Sequence, residues 1–292
     1  MKTLAAIVRA LGGDLYDGGR RALIPGPGHG AGDRSVSLVL SQGRVVVHSF
    51  AGDDWRIIRD ELRGRGLIGA DASLHEPGDS TSLTSLSSAA RREVARKLWR
   101  EGSPVPSTLS EKHCQRRGVT AVSDALRHHS AVPLRTYDGE GPFHEALLAA
   151  ITAATGELCG VEVTFLASDG ARARVKLPRK TIGQRPAGSA VRLSPLGPAL
   201  LVGEGVFTCL SAAMHFGLPA WALLSTSNLR SWRPPEGVGA VLIAADRGRD
   251  GTRSAAILAS RLRADGLDCS VRAPPSGFGD WNDALCGPRL GV

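Results

Sequence analysis

Four carboxylates in the last third of the sequence follow apolar segments and are of a type that binds metal. Glu204 follows "ALLVG", Asp246 follows "VLIAA", and Asp280 and Asp283 lie in "GFGDWNDAL". Carboxylate oxygens suit Mg²⁺ or Mn²⁺, which take one or two of them together with waters and substrate phosphates. A metal held in this way polarises phosphate oxygens and activates a hydroxyl nucleophile. We therefore expect these four residues to form a metal site.

The loop "ADRGRDG" sets its two carboxylates unusually far apart. Asp246 and Asp250 are four residues apart, with Gly248 between them. Because the loop is short and contains glycine, we expect Asp250 to reach back toward the metal site. Asp250 would then be catalytic together with Asp246 and Glu204. Arg247 and Arg249 add positive charge, so they are expected to hold phosphate or to replace one of two metals.

Alternating strands and helices are predicted to position these side chains. From Ala199 onward, continuous apolar strands alternate with helical segments, which is typical of a mainly parallel sheet covered by helices on both faces. Ligands of such a sheet bind beyond the carboxyl ends of its strands, where Glu204 and Asp246 fall. A capping role remains open, because an aspartate after a strand often caps the next helix. Asp280 is suited to that role in "DWNDAL".

Composition and charge favour a polyanionic partner. The 292 residues carry 36 Lys and Arg against 28 Asp and Glu, a net charge of +8. This balance favours nucleic acid, although it also fits an ordinary basic protein. The five cysteines are isolated, which argues against a disulfide framework or a cysteine zinc cluster and fits a reducing cytoplasm. No apolar run reaches about 18 residues, so no membrane span is expected.

The chain is predicted to divide into four segments. Residues 1–69 have the pattern of a small α/β unit, and residues 70–87, rich in Ser, Asp, Gly and Thr, that of a flexible linker. Residues 88–196 combine helices such as "AARREVARKLWREG" with strands at "LCGVEVTFLA" and "ARARVKLP", as expected of a mixed α+β region. Residues 197–292 contain the predicted parallel sheet.

The segments "LLVGEGVFTCLSAA", "VLIAADRGRDGTRSAAILASRLRADG" and "GDWNDAL" resemble the Toprim domain. This is the metal-dependent catalytic fold shared by bacterial primases, topoisomerases and some nucleases. The resemblance implies metal-binding roles for Glu204, Asp246, Asp280 and Asp283. It has one departure here: Gly248 stands where the family carries the second aspartate of an Asp-x-Asp pair. The expected site therefore binds one Mg²⁺ and a polyphosphate.

The upstream sequence is similar to DnaG-type primases of phages, plasmids and other mobile elements. The segment "GELCGVEVTFLASDGARARVKLPRKTIGQRPAGSAVRL" resembles their region before Toprim, which implies that Lys176, Arg179 and Lys180 contact template or nucleotide. The segment "IPGPGHGAGDRSVSLVLSQGRVVVHSFAGDDWR" resembles their zinc ribbon. The positions that match its zinc ligands are Gly26, His29, Ser49 and Asp53. Only the histidine among them is a usual zinc ligand, so we expect this fold without zinc.

The resemblance implies template-directed RNA primer synthesis on single-stranded DNA. Nucleoside triphosphates would be the substrates and Mg²⁺ or Mn²⁺ the cofactor, in the DNA replication of a mobile element. A replicative helicase is an expected partner, because this sequence contains no P-loop. Two alternatives remain open. One is a Toprim protein that binds DNA without catalysis, which Gly248 and the lost zinc ligands favour; the other is a Toprim nuclease, which the primase-like upstream segment disfavours.

Overall fold

A computed structural model describes five ranges of the chain: residues 3–26, 33–50, 55–74, 87–120 and 123–287. The chain divides into two compact units, Met1–Ser85 and Leu86–Val292. Most of the predicted linker, and both His29 and Asp53, lie outside the described residues. The finer division at residues 69, 87 and 196 remains a prediction. Within the described ranges, no helix is long and apolar enough to cross a membrane.

The N-terminal unit is a four-stranded antiparallel sheet with two helices. Its elements are α1 (Ala5–Leu11), β1 (Asp14–Tyr16), β2 (Arg21–Ile24), β3 (Val36–Ser41), β4 (Arg44–Ser49) and α2 (Trp55–Gly64). The strands lie in the order β1-β2-β3-β4. Along β3, Val36, Leu38 and Leu40 are buried and alternate with more exposed residues. Their face of the sheet packs on Ile58 and Leu62 of α2, which accounts for the alternation.

Two of the positions that match zinc ligands are described in this unit. The amide of Gly26 donates to Asp33 Oδ2 at 3.0 Å, and Ser49 ends β4. The neighbouring His48 is exposed and meets the Phe50 ring edge-on, with 4.9 Å between ring centres. The likeness of this unit to a zinc ribbon remains a prediction.

The first part of the second unit is an antiparallel sheet with two helices. Its elements are α3 (Ser88–Glu101), α4 (Leu109–Arg116), β5 (Leu126–Arg135), β6 (Glu140–Thr152), β7 (Leu158–Phe165) and β8 (Arg179–Gly183). The strands lie in the order β5-β6-β7-β8. Val161, Val163 and Phe165 of β7 share a buried cluster with Ala95 and Leu98 of α3, so the opposite face of β7 carries its even-numbered residues.

The strand predicted over "ARARVKLP" is wrong apart from an isolated bridge at Arg172. The strand next to β7 instead begins at Arg179. The segment before it is a loop that is hydrogen-bonded to both the backbone amide and the backbone carbonyl of Phe165. The Phe165 amide donates to the Pro178 carbonyl, and its carbonyl accepts from the Ala173 amide, each at 2.8 Å. These bonds use the ladder positions that a continuous strand would have needed.

The second part of this unit is the mainly parallel sheet that the sequence predicts. Its elements are β9 (Val191–Arg192), β10 (Ala199–Gly203), α5 (Val206–Phe216), β11 (Ala220–Ala222), α6 (Thr226–Ser231), β12 (Ala240–Ala244), α7 (Arg249–Ala264), β13 (Asp268–Arg272) and α8 (Trp281–Cys286). The order is β13-β12-β10-β11-β9, and only β9 runs antiparallel to its neighbour.

Helices cover both faces of this sheet, which confirms the predicted mixed α/β arrangement. Leu201 of β10 packs with residues of α5 and with Trp281 of α8. Its neighbours Leu200 and Val202 pack on the other side with residues of α6 and α7. The strand is therefore continuously apolar because both of its faces are buried.

Candidate functional site

Glu204 and Asp246 follow two neighbouring strands of the parallel sheet. Strands β10 and β12 pair in parallel with Gly203 opposite Ala244, so both end at the same edge. A Cβ at Gly203 would lie 2.9 Å from both the Ala244 carbonyl oxygen and Cys209 Sγ. The absence of a side chain there permits the close packing of β12 and α5. One carboxylate thus comes directly after β10, and the other comes two residues after β12.

A polar cavity of about 130 Å³ opens at this edge. It is lined by Glu162, Arg179, Glu204, Gly205, Thr208, Leu224, Asp246 and Asp280. The parallel sheet and the segments that follow its strands supply most of the lining. The antiparallel sheet supplies Glu162 from β7 and Arg179 from β8. The cavity therefore lies where the two sheets of the second unit meet.

Burial and the crowding of carboxylates raise the pKa of the central pair. Burial, Glu204 and Asp280 together raise the pKa of Asp246 to about 7. A hydrogen bond from Thr208 Oγ1 to Asp246 Oδ1 at 3.5 Å opposes this shift only in part. Burial and the nearby Asp250 also raise the pKa of Glu204. Carboxylates in this arrangement repel each other when both are charged, so a bound cation would reduce this repulsion.

Replacing Asp246 with Asn is expected to stabilise the metal-free protein at neutral pH and above. The folded-state pKa of about 7 lies above the ordinary value of 3.8, so the folded chain keeps a proton that the unfolded chain has lost. Stability therefore falls as the pH rises from about 4 to about 7. Asp246→Asn removes this penalty and should raise the free energy of unfolding by about 4 kcal/mol at pH 8, with little difference near pH 4.

Urea unfolding in EDTA between pH 4 and pH 8 measures this difference. Asp138→Asn is the matched control, because Asp138 is exposed in the β5–β6 turn, where it pairs with Arg135. Parallel stability curves for wild type and Asp246→Asn across this range would contradict the proposed crowding.

The donor set fits a metal that is shared with a substrate. Among the described residues, no three His, Cys, Asp or Glu side chains come close enough together to hold a metal ion. Mg²⁺ commonly takes only one or two protein carboxylates and completes its octahedron with waters and phosphate oxygens. Glu204 and Asp246 supply that number of carboxylates at one wall of the cavity. We infer that they would hold Mg²⁺ or Mn²⁺ in this way.

Asp280 combines a capping role with a place in the cavity. Its Oδ1 accepts a hydrogen bond from the Asp283 amide at 2.7 Å, which makes it the N-cap of α8. It also lines the cavity. Asp283 is exposed and is not part of the lining, but its charge contributes to the raised pKa of Asp246. Only Asp280 of these two is therefore positioned to face a ligand in the cavity.

Asp250 is engaged by an ion pair with Arg230 and does not line the cavity. Arg230 Nε also donates to Ser254 Oγ at 2.9 Å, and Ser254 Oγ donates to the Asp250 carbonyl at 2.6 Å. The charges of both partners still act on Glu204, since Asp250 raises its pKa and Arg230 lowers it. The first turn of α7 is thus tied to α6 at the edge of the site.

Replacing Arg230 with Ala is expected to strengthen Mn²⁺ binding several-fold. The change removes a cation near Glu204 and releases the Asp250 carboxylate from its ion pair, and both effects favour a divalent cation. Calorimetric titration with Mn²⁺ at pH 8 measures the affinity. Arg233→Ala is the control, because it removes an exposed arginine that pairs with Asp265. Equal affinities for Arg230→Ala and wild type would show that Asp250 has no access to the metal.

The predicted basic residues of the upstream region divide between the cavity and other surfaces. Arg179 lines the cavity. Lys180 follows it on β8 and faces the opposite side, where its Nζ donates to the Leu134 carbonyl at 2.5 Å and lies 5.0 Å from the Phe165 ring centre. Burial there lowers the pKa of Lys180 to about 8. Lys176 is exposed in the loop before β8.

Arg247 and Arg249 also lie outside the cavity lining. The Arg247 guanidinium donates to the carbonyl oxygens of Pro274 and Pro275 at 2.6–3.2 Å. Its amide donates to the Gly279 carbonyl at 2.8 Å, so Arg247 joins the two loops that carry the carboxylates. Arg249 is the exposed first residue of α7.

Sequence patterns did not identify several of the charged residues at the site. Arg185 and Arg230 act on Glu204, and Arg172 and Arg185 act on Glu162. A signal for Glu162 was present, since it is the single charged residue within the apolar strand "LCGVEVTF". The three arginines lie in loops or in a short helix, where no periodic pattern distinguishes them from other surface arginines.

Arginines crowd together at the rim of the cavity. Burial and the charges of Arg179 and Arg117 lower the pKa of Arg172. Arg117 stacks over the Phe207 ring at 5.1 Å, and its buried Nε has no hydrogen-bond partner in the described part of the chain. Guanidinium groups that repel one another are well suited to bind phosphate, which they contact through two parallel hydrogen bonds.

Comparison with known families assigns the parallel sheet and its helices. Residues 199–288 match the family model described as the Toprim domain. The C-terminal part of this chain is a Toprim domain. Residues 89–193, which precede the Toprim domain and include the antiparallel sheet, match a family described as a domain of unknown function, DUF7146. No curated protein sequence matches the chain.

Solved structures similar to this chain include the following primases. The Aquifex aeolicus primase, with zinc binding and RNA polymerase domains, is 13% identical over 96% of this chain and 78% of that one, with a TM-score of 0.42. The DnaG primase catalytic domain bound to single-stranded DNA is 14% identical over 68% and 76%, with a TM-score of 0.47. The primase fragment of the bacteriophage T7 primase-helicase is 13% identical over 63% and 69%, with a TM-score of 0.39.

Proposed function

We propose that this chain is a primase-like nucleotidyltransferase that joins ribonucleotides on a single-stranded DNA template in the replication of a mobile element. One observation carries the proposal. The paired carboxylates Glu204 and Asp246, at the edge of a Toprim domain, line one small polar cavity together with the cation Arg179. A divalent metal and a guanidinium in one cavity form an arrangement that suits a triphosphate.

In the proposed reaction, a 3′-hydroxyl oxygen attacks the α-phosphorus of a nucleoside triphosphate. The new oxygen–phosphorus bond forms, the bond from the α-phosphorus to the bridging β-phosphate oxygen breaks, pyrophosphate leaves, and the hydroxyl proton passes to water. Bound Mg²⁺ would supply charge neutralisation at the phosphates and polarise the attacked group. Glu204 and Asp246 would hold the ion, and Arg179 binds phosphate oxygens. Catalysis of this kind depends mostly on positioning and electrostatics.

Template binding is proposed for the arginine-rich rim of the cavity. Arg117 and Arg172 add positive charge beside Arg179, and Lys176 is exposed in the loop between Arg172 and Arg179. We further propose that residues 88–196 and 197–292 act as two subdomains that share this site, and that a separate helicase opens the duplex. Binding through phosphates should weaken steeply as the salt concentration rises.

Primer synthesis tests the proposal directly. Purified protein is incubated with single-stranded DNA, radiolabelled ribonucleoside triphosphates and Mg²⁺ or Mn²⁺, and the products are separated by size. The expected result is short RNA that requires both template and metal. Cleavage of the DNA in the same reaction, without RNA products, would support a Toprim nuclease instead.

A non-catalytic DNA-binding protein is a second candidate, favoured by one observation. Gly248 provides no second carboxylate, and the nearest replacement, Asp250, is engaged by Arg230. Metal titration separates the two candidates. Salt-sensitive binding of single-stranded DNA without measurable binding of Mg²⁺ or Mn²⁺ would support the non-catalytic protein.

A further inference from the structure

Glu162 lines the cavity from the antiparallel sheet, whereas the carboxylates proposed to bind metal follow strands of the parallel sheet. It lies in the middle of β7, on the face of that strand shared with Thr164. Thr164 pairs with Arg179 of β8, so Glu162 and Arg179 project from the same face of the antiparallel sheet. The remaining carboxylates of the cavity come from the segments that follow strands of the parallel sheet. Glu162 is therefore the one acidic group in this lining that the antiparallel sheet supplies.

The carboxylate of Glu162 is largely buried and has only a distant partner. Its side chain is 15% exposed, and its nearest cation is Arg179, whose Nε lies 3.9 Å from Oε2. Within the described parts of the chain, no hydrogen bond reaches this carboxylate. Burial raises the pKa of Glu162 in spite of Arg179, Arg185 and Arg172 nearby. A buried carboxylate without donors is costly, so a ligand that supplies a hydrogen-bond donor would stabilise it.

A nucleotide in this cavity can satisfy Glu162 in only a few ways. Phosphate oxygens carry no proton to donate at neutral pH and are repelled by a carboxylate, whereas the sugar hydroxyls and some groups on the bases are donors. The ribose is attached directly to the α-phosphate, and the base lies one group further away. The ribose hydroxyls are therefore the donors that lie nearest to a metal-bound α-phosphate in this cavity.

We propose that Glu162 accepts a hydrogen bond from the 2′-hydroxyl of the bound nucleotide and so selects ribonucleotides over deoxyribonucleotides. The proposal rests on the proposed function in that it requires a nucleotide at the carboxylate pair. A hydrogen bond to a charged group that is buried and lost altogether in the deoxy analogue should change affinity by about tenfold or more. The preference should depend on the sugar and not on the base.

Equilibrium binding of ATP, UTP, 2′-deoxyATP and 3′-deoxyATP in the presence of Mn²⁺ tests this inference without requiring catalysis. Wild type should bind ATP at least about tenfold more tightly than 2′-deoxyATP, and UTP should compare with ATP. Glu162→Met keeps the bulk of the side chain without an acceptor, and should bring the ATP to 2′-deoxyATP ratio close to one. Glu162→Gln keeps one acceptor oxygen and should retain part of the ratio. Glu157→Met, at an exposed glutamate that pairs with Arg96, should leave the ratio unchanged.

Three results would overturn the assignment. In the first, Glu162→Met weakens ATP and 2′-deoxyATP by the same factor, which would mean that Glu162 only supports the arginines around it. In the second, the affinity that Glu162→Met loses depends on the base or on the 3′-hydroxyl of the nucleotide and not on its 2′-hydroxyl. In the third, wild type binds no nucleotide or shows no 2′-hydroxyl preference. Failure of the proposed function is distinguishable, since a protein that binds ATP with this preference but makes no primer would keep the role of Glu162 and lose the primase assignment.

Discussion

Glu204→Gln is expected to reduce primer synthesis by at least about a hundredfold, because it removes one of the two carboxylates that would hold the metal against the triphosphate. Gln keeps the size of the side chain and can accept a hydrogen bond, but it carries no charge. Glu204 follows β10 directly, and its backbone carbonyl accepts from the Leu224 amide at 2.8 Å whichever side chain is present. The loss should therefore arise from the site and not from unfolding.

The rate of incorporation of radiolabelled nucleotides on single-stranded DNA measures this loss. Glu157→Gln is the matched control, because it removes the charge of an exposed glutamate on the β6–β7 turn. The metal-free Glu204→Gln protein should be at least as stable as wild type, since the repulsion between Glu204 and Asp246 is relieved. Primer synthesis at the wild-type rate in Glu204→Gln would exclude Glu204 from the reaction.

Gly248→Asp is expected to increase Mn²⁺ affinity about tenfold, since it adds a carboxylate to the loop that carries Asp246. The backbone allows the change without strain. Gly248 has φ −62° and ψ 149°, which any residue adopts, and a Cβ there would meet nothing within 4 Å. Gly248 is also the N-cap of α7, where aspartate is favoured over glycine by about a few tenths of a kcal/mol.

Gly248→Asn separates the charge from the cap. Asparagine caps a helix as well as aspartate does, so both variants should show the same small rise in the free energy of unfolding. Only Gly248→Asp should bind Mn²⁺ more tightly when the two are compared by calorimetric titration. Equal affinities in the two variants would mean that a carboxylate at position 248 does not reach the metal.

Sequence reasoning predicted the parallel sheet because its signals are local. The apolar strands "ALLVG" and "VLIAA" must be buried on both faces, and each is followed by a carboxylate and then a helix. The placement of both carboxylates at the edge of the sheet was an inference from the rule that ligands lie beyond the carboxyl ends of strands. The pairing of Gly203 with Ala244 gives that inference its geometry.

Other features of the site depend on contacts that no local pattern encodes. Asp250 was expected to reach the metal site, but its ion pair with Arg230 joins helices that are separated by a strand in the sequence. Lys180 and Arg179 were grouped as adjacent basic residues, yet alternation along β8 sends them to opposite faces. Glu162 joins the site only because the antiparallel sheet packs against the Toprim domain, a long-range contact that spacing alone does not reveal.

The position of a bound metal tests most directly whether Glu204 and Asp246 form the metal site. A crystal of the protein soaked in Mn²⁺ and measured for anomalous scattering would locate the ion from its own signal. We expect one peak between the carboxylates of Glu204 and Asp246, within the cavity that Arg179 and Glu162 also line. Manganese bound elsewhere, with no anomalous peak in this cavity, would show that these two carboxylates do not form the metal site.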